Sequence, residues 1–382
     1  MPVESSDACQ APQETGSWAS STHQNGTDAE TGGTPVSSVH VMSLTSQEPE
    51  FESEGGTIQA LDATNWPLLH GQKLSLRRLV LNPGAVREPH WHVDANELAY
   101  CVSGEVLVTL FVNGSASDSF TVTTGQMYFV PGGALHSIDN IGTATAEFIV
   151  GFTDSNPQEF GLAGSFNAFS DAVLGNTYSV PAETFAPLRS ATLPGKISVR
   201  TQPTPVPRSA LRTSQYRFDV DAMTPPVSSP SGSARTARKQ FWPILDGISM
   251  YSLDVTDDGM REPHWHPVTT EMGYVHKGRA RMTILNPGGD IDTYELQAGD
   301  VYLVPSAYPH HIEDIGDDDI HFCIFFDNVM PQDIGYRAAI GGWAPEVLQA
   351  AFGLDTNVFA TLPFTAQDPL IVPRMNPVDA VR

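Results

Sequence analysis

From about residue 56 the chain is written in apolar runs of five to eight residues, among them LSLRRLVL, LAYCVSG, VLVTLFV and QMYFVP, separated by Gly, Pro, Asn and Asp. Runs of this length, rich in β-branched and aromatic side chains and bounded by turn formers, predict the strands of an all-β sandwich or barrel. NGSASDS at 113–119, between VLVTLFV and SFTVTTG, predicts a hairpin turn. Weaker helical patterns fall near 169–175 and 345–353. Residues 1–45, rich in Ser, Thr, Gly, Gln and acidic side chains, predict a disordered arm.

The pattern occurs twice. REPHWH stands at 87–92 and again at 261–266, and Arg87, His90, Glu97, Gly104, Pro131 and His136 all recur 174 residues later. The correspondence continues into PQEFG at 157–161 and PQDIG at 331–335, while upstream NWPLLHG and FWPILDG correspond after a small gap. A repeat of this length predicts two copies of one domain. The expected organisation is an arm over 1–45, a first domain over 46–190, a linker over 191–215 that is rich in proline and basic residues, and a second domain over 216–382.

With 382 residues and 40% hydrophobic side chains the chain can bury two cores. Its formal net charge of −24 argues against nucleic acid and against anionic membrane surfaces as partners. A small anion can still bind if an arginine, a metal ion or both supply positive charge locally. Three cysteines, Cys9, Cys101 and Cys323, form no CxxC, and the last two lie in apolar runs that predict buried thiols. The start MPVESSDACQ has neither a basic nor an apolar segment of a leader, and no apolar stretch reaches membrane-spanning length. These features predict a soluble, cytoplasmic protein.

In HWH the two histidines are two apart, so on a strand both side chains face one way and the tryptophan the other. Each copy is followed by a glutamate five residues on and a histidine about 44 residues on. The candidate metal ligands are therefore His90, His92, Glu97 and His136, and in the second half His264, His266, Glu271 and His310. Three imidazoles and one carboxylate suit a first-row transition ion that keeps open positions for substrate or dioxygen. The histidines at 23, 40, 70, 276, 311 and 321 lack this registration; His311 adjoins His310, but its counterpart is Ser137.

These residues, with Gly84, Gly104, Gly125, Pro131, Gly133 and Asn140, have the spacing of both signature motifs of the cupin superfamily, and the chain resembles the oxalate decarboxylase family of bicupins. The second half departs at Gly259, one residue closer to its histidine, at Ala307 in place of the motif glycine, and at Asp314 in place of the asparagine. The resemblance implies two jelly-roll barrels with short helical additions, Mn(2+) in each, dioxygen as co-catalyst, and decarboxylation of oxalate, a small carboxylate, to formate and carbon dioxide. Homo-oligomeric assembly is left open.

By the same resemblance, Arg87 and Arg261 are the groups that orient the substrate carboxylate. Strict alternation from His90 puts Arg87 on the opposite face, so this role requires Pro89 to break the strand. Glu159 falls where the family carries a lid glutamate that moves the proton, but its neighbours are not the family's Ser-Glu-Asn, and Asp333 holds the same repeat position. That symmetry also fits a shared helix start. The family's second-site glutamate is missing from HFCIFF. These departures keep two alternatives open: an oxalate oxidase or other metal-dependent dioxygenase, and a non-enzymatic storage or metal-binding bicupin.

Overall fold

The computed structural model describes residues 38–378, apart from Ser115 and Pro194. They form four antiparallel sheets, two in each half. In the first half the smaller sheet runs in the order Glu159–Gly161, Ala85–His92, Leu135–Asn140, Glu105–Phe111, Asp118–Thr123, with Ile197–Val199 also paired to Ala85–His92. The larger runs Arg217–Asp219, Gln126–Val130, Glu97–Ser103, Ala146–Phe152, Ser75–Leu81, Gly56–Leu61, Phe51–Ser53. The second half repeats both sheets. The pairing of Glu105–Phe111 with Asp118–Thr123 is the expected hairpin, and the helical patterns become Asp171–Tyr178 and Pro345–Phe352. Among the described residues no helix is long and apolar enough to cross a membrane.

Each barrel closes by packing its two sheets face to face. In the first half Val108, Leu110, Phe120 and Ile138 of the smaller sheet meet Leu79, Tyr128, Phe148 and Val150 of the larger. The larger sheets are buried on both faces. Phe322, Ile324 and Phe326 fill the second barrel, whereas Cys323 and Phe325, between them, join Tyr100, Met127 and Phe129 in a core shared by the two halves. HFCIFF reads as a continuous apolar run because neither of its faces meets water. Each such side chain contributes about 1.5–3 kcal/mol on burial, so the shared core ties the barrels together. Cys101 and Cys323 are buried free thiols in these cores.

The halves also exchange strands. Val41–Ser43 pairs with Asp300–Val304 of the second half, and its repeat counterpart Arg217–Asp219 pairs with Gln126–Val130 of the first. The expected arm over 1–45 therefore divides: residues 1–37 lie outside the described residues, but Leu44 is fully buried and Val41–Ser43 is a strand. The expected linker over 191–215 likewise contributes Ile197–Val199 to the first barrel. Both segments are polar or proline-rich and look like loops in isolation; partners far along the chain make them strands.

Candidate functional site

In each barrel a four-residue group lies between the two sheets. His90 and His92 sit on Ala85–His92, His136 lies opposite His90 on Leu135–Asn140, and Glu97 opens the larger sheet's strand Glu97–Ser103. His264, His266, Glu271 and His310 repeat the arrangement. Within each group one ligand atom per residue lies within 4.8 Å of the others, and all eight residues are buried. The sequence reading of which eight side chains belong together thus has a geometric counterpart.

The hydrogen bonds around the imidazoles show what the groups are built to hold. In the second half Nδ1 of His264, His266 and His310 lies 2.8, 2.9 and 3.0 Å from the carbonyls of Glu262, Gln332 and Tyr308. A carbonyl only accepts, so Nδ1 carries the proton and a neutral ring turns the Nε2 lone pair to the centre. There Glu271 Oε2 lies 2.7 Å from His266 Nε2 and 3.4 Å from His310 Nε2. Acceptors facing one another at these distances call for a bridging proton or metal cation, and His310 Nε2 is buried with no hydrogen-bond partner. In the first half His90 and His136 donate through Nδ1 to Glu88 and Ala134, at 2.7 and 3.1 Å. The donor set therefore fits a divalent transition ion.

At His266 burial lowers the pKa, but the hydrogen bond to Glu271 and the charge of that carboxylate outweigh burial and raise it, so without a metal ion a proton takes the bridging place there. The other shifts suit neutral imidazoles and an ionised carboxylate. Burial, reinforced by Arg87, holds His90 well below its usual range, and burial with Arg261 does the same to His264. Burial pushes the Glu97 carboxyl up, but His136 and His92 outweigh it and the group lies well below the usual carboxylate range. Tyr128, kept protonated by burial and by Glu97, donates to Glu97 Oε1 at 2.8 Å. Tyr302 does the same for Glu271.

Arg87 faces the site. The ladder between Ala85–His92 and Leu135–Asn140 shifts register between His90 and Arg87. Glu88 and Pro89 both fall outside the buried face, and Arg87 is 3% exposed. The bulge at the proline reverses the alternation. Ladder and bulge recur between Arg261 and His264.

Glu159 precedes helix Leu162–Ala168, as Asp333 precedes Tyr336–Gly341, yet both helices are capped by glycine without a side-chain bond. Their carboxylates go elsewhere. Glu159 Oε2 lies 2.7 Å from Arg87 and 3.3 Å from Arg77, and Oε1 lies 3.1 Å from Lys196. Burial alone would raise its pKa, but these three cations lower it to about 2. Asp333 Oδ1 meets Arg261 at 2.7 Å and His266 Nδ1 at 3.3 Å. Arg77 and Lys196 are neighbours that sequence reasoning missed; the available signal was that their repeat counterparts, Tyr251 and Leu370, are uncharged.

A pair of antiparallel barrels, each with three histidines and a glutamate between its sheets, defines a bicupin. The sequence pattern of the cupin family matches residues 42–185 and 220–359, and the chain belongs to that family. It is 30% identical over 284 residues to the oxalate decarboxylase OxdC of Bacillus subtilis (strain 168), covering 72% of this chain and 71% of that protein. It is 27% identical over 294 residues to an oxalate decarboxylase of Arthroderma benhamiae, covering 69% and 68%. A structure of the Bacillus subtilis oxalate decarboxylase, used to assign the EPR parameters of its Mn(II) centres, superposes with a TM-score of 0.77 at 25% identity, over 87% of this chain and 88% of that one.

Proposed function

We propose that this bicupin holds manganese through His90, His92, Glu97 and His136 and through the matching four residues of the second half, and that it decarboxylates oxalate to formate and carbon dioxide in the first barrel. The observation that supports this most is the placement of Arg87, buried beside the imidazoles with its guanidinium occupied by a carboxylate of the protein itself. Glu159 stands where an incoming oxalate carboxylate would stand. A metal ion at these ligands would bind the substrate and, with dioxygen, supply the one-electron chemistry.

The chain's own residues do the rest. Arg87 binds and orients a carboxylate of the dianion, stabilising the charge left as carbon dioxide departs. Glu159, ionised at neutral pH, accepts the proton of the substrate and returns it to the formate carbon. It lies on the wall of an outer cleft of about 520 Å³, which Arg77 shares with an inner cavity of about 20 Å³ beside the imidazoles. Outward movement of Glu159 would open one to the other.

The second reading is oxalate oxidation, with carbon dioxide and hydrogen peroxide as products. It is favoured by the three cations that anchor Glu159, which oppose a freely moving proton carrier. The test is incubation of manganese-loaded protein with oxalate while formate and peroxide are both assayed. Formate without peroxide supports the proposal, peroxide without formate supports the second reading, and neither product removes oxalate as the substrate.

A further inference from the structure

The space beside the imidazoles is continuous in the second barrel and divided in the first. One cavity of about 210 Å³, bounded by His264, His266, Glu271, Arg261 and Asp333, reaches from the second four-residue group to the mouth, where in the first half Arg77 and Glu159 part an inner cavity of about 20 Å³ from the outer cleft of about 520 Å³. At roughly 30 Å³ for each water the second barrel's cavity is about seven water volumes, more than a two-carbon diacid fills. Particular exchanges within the repeat make the difference. Ile58, opposite Leu79, becomes Ala234, opposite Leu253. Arg77, which lies over the Phe152 ring and pairs with Glu50 and Glu159, becomes Tyr251. Glu159 shortens to Asp333, and Lys196 becomes Leu370.

The cavity's inner wall is apolar, formed by Val227, Leu253, Ile312, Ile324, Phe326 and Ile371, and matches Phe51, Leu79, Ile138, Val150, Phe152 and Ile197 of the first half, so the exchanges at Ala234 and Tyr251 open access to a wall that both halves possess. Two side chains beside it differ in kind from the first half: Thr236 stands where that half has Ala60, and Arg238 where it has Asp62. Thr236, 3% exposed, has a buried Oγ1 without a hydrogen-bond partner, and the buried Nε of Arg238 is likewise unpartnered. Buried polar atoms without partners cost about 1–3 kcal/mol each, so water or a polar ligand atom in the cavity must complete them.

We propose that the second barrel binds a carboxylate with an apolar body, of about the size of benzoate. The proposal rests on reading the second four-residue group as a metal centre. The ligand's acid group meets that centre and Arg261, displacing Asp333, and its body lies against the leucine, isoleucine and phenylalanine wall; a polar substituent on that body, which benzoate lacks, would complete Thr236.

The test is calorimetric titration of manganese-loaded, full-length protein with benzoate, and with acetate as the ligand lacking the apolar body. Benzoate should bind at one equivalent per chain and at least tenfold more tightly than acetate. Ala234→Ile, which restores the first half's side chain, should weaken benzoate at least tenfold and leave acetate unchanged. If melting shows that this variant does not fold, Ala234→Val gives the same direction with a smaller effect. Benzoate binding no tighter than acetate, or equally tight in every folded variant, overturns the proposal. Formate release from oxalate is measured separately on the wild type, so loss of the oxalate reading and loss of this one are told apart.

Discussion

Arg77 and Tyr251 occupy the same place in the repeat, as do Lys196 and Leu370, and around these exchanges two sites with four matching candidate ligands each become different chambers. The first is nearly filled and its mouth is crossed by Arg77, Arg87 and Lys196 converging on Glu159. The second is continuous with its mouth, where Asp333 lies on Arg261 and His266. The candidate ligands repeat in geometry because both halves hold them on the same two sheets, while Arg77, Lys196 and Ile58, which reach in from separate positions, are exchanged for Tyr251, Leu370 and Ala234. The comparison separates the residues that repeat in both groups from those that shape the space beside them.

The sharpest way to break this division is to remove one centre at a time. His136→Ala should cost one metal equivalent and lower oxalate turnover by at least ~10³-fold, since the metal carries the hard chemistry. His310→Ala should cost the other equivalent with a much smaller effect on turnover. Metal analysis beside formate assays checks both; equal losses of turnover would place the reaction in both barrels or in the second.

Next in size is Glu159→Gln, which keeps the shape and removes the base. Formate release should fall by about 10²-fold, with metal content unchanged. The same variant reports on the ionic anchor. The folded pKa of Glu159 lies at about 2 against an ordinary 4.5, so ionisation favours the folded state. That contribution is present above pH 4.5 and is lost as pH falls towards 2. The melting temperatures of wild type and variant should therefore converge over that interval, and a constant difference would show that the ion pairs contribute nothing.

Much of this was legible in the residues. HWH, the glutamate and the distant histidine appear in both halves at one offset, and a repeat of that kind singles out candidate ligands without coordinates. Pro89 marked the place where alternation fails, but only the ladder shows the register shift that turns Arg87 inward. The anchors of Glu159 could not be read, because Arg77 and Lys196 reach it from 82 positions before and 37 positions after in sequence, by contacts that have no local pattern. Nor could the exchange of Val41–Ser43 and Arg217–Asp219: each is short and pairs with the other half.

Smaller effects test whether the second half has paid for its divergence in stability. Asn140 donates through Nδ2 to the carbonyls of Leu81 and Ala144, while its Oδ1 accepts from Gly142. Asp314 keeps the bond from Gly316, but its Oδ2 is buried without a partner, and burial raises its pKa to about 6 from 3.8. A folded pKa above the unfolded one means that stability falls as pH rises from about 4 through 6. Asp314→Asn removes the loss, giving on the order of 1 kcal/mol above pH 6 and nothing below pH 4. Denaturant titrations at the two pH values check it, and an equal gain at both would assign the effect to shape alone.

The smallest expected effect is also the cleanest comparison of the halves. Gly133 and Ala307 turn the chain beside the second histidine of each pair, each donating its backbone N–H to that histidine's carbonyl at 2.8 Å. Both adopt left-handed backbone, with φ of 77° and 66°. For alanine that conformation costs about 1–2 kcal/mol, partly offset by its lower entropy in the unfolded chain. A Cβ added at Gly133 meets no heavy atom within 4 Å, so the backbone cost stands alone there. Ala307→Gly should therefore stabilise the protein by about 0.5–1 kcal/mol, and Gly133→Ala should destabilise it by the same amount. Paired thermal melts of the two variants decide the matter. If Gly133→Ala is neutral, the turn does not select glycine on backbone grounds, and the alanine of the second half is no departure at all.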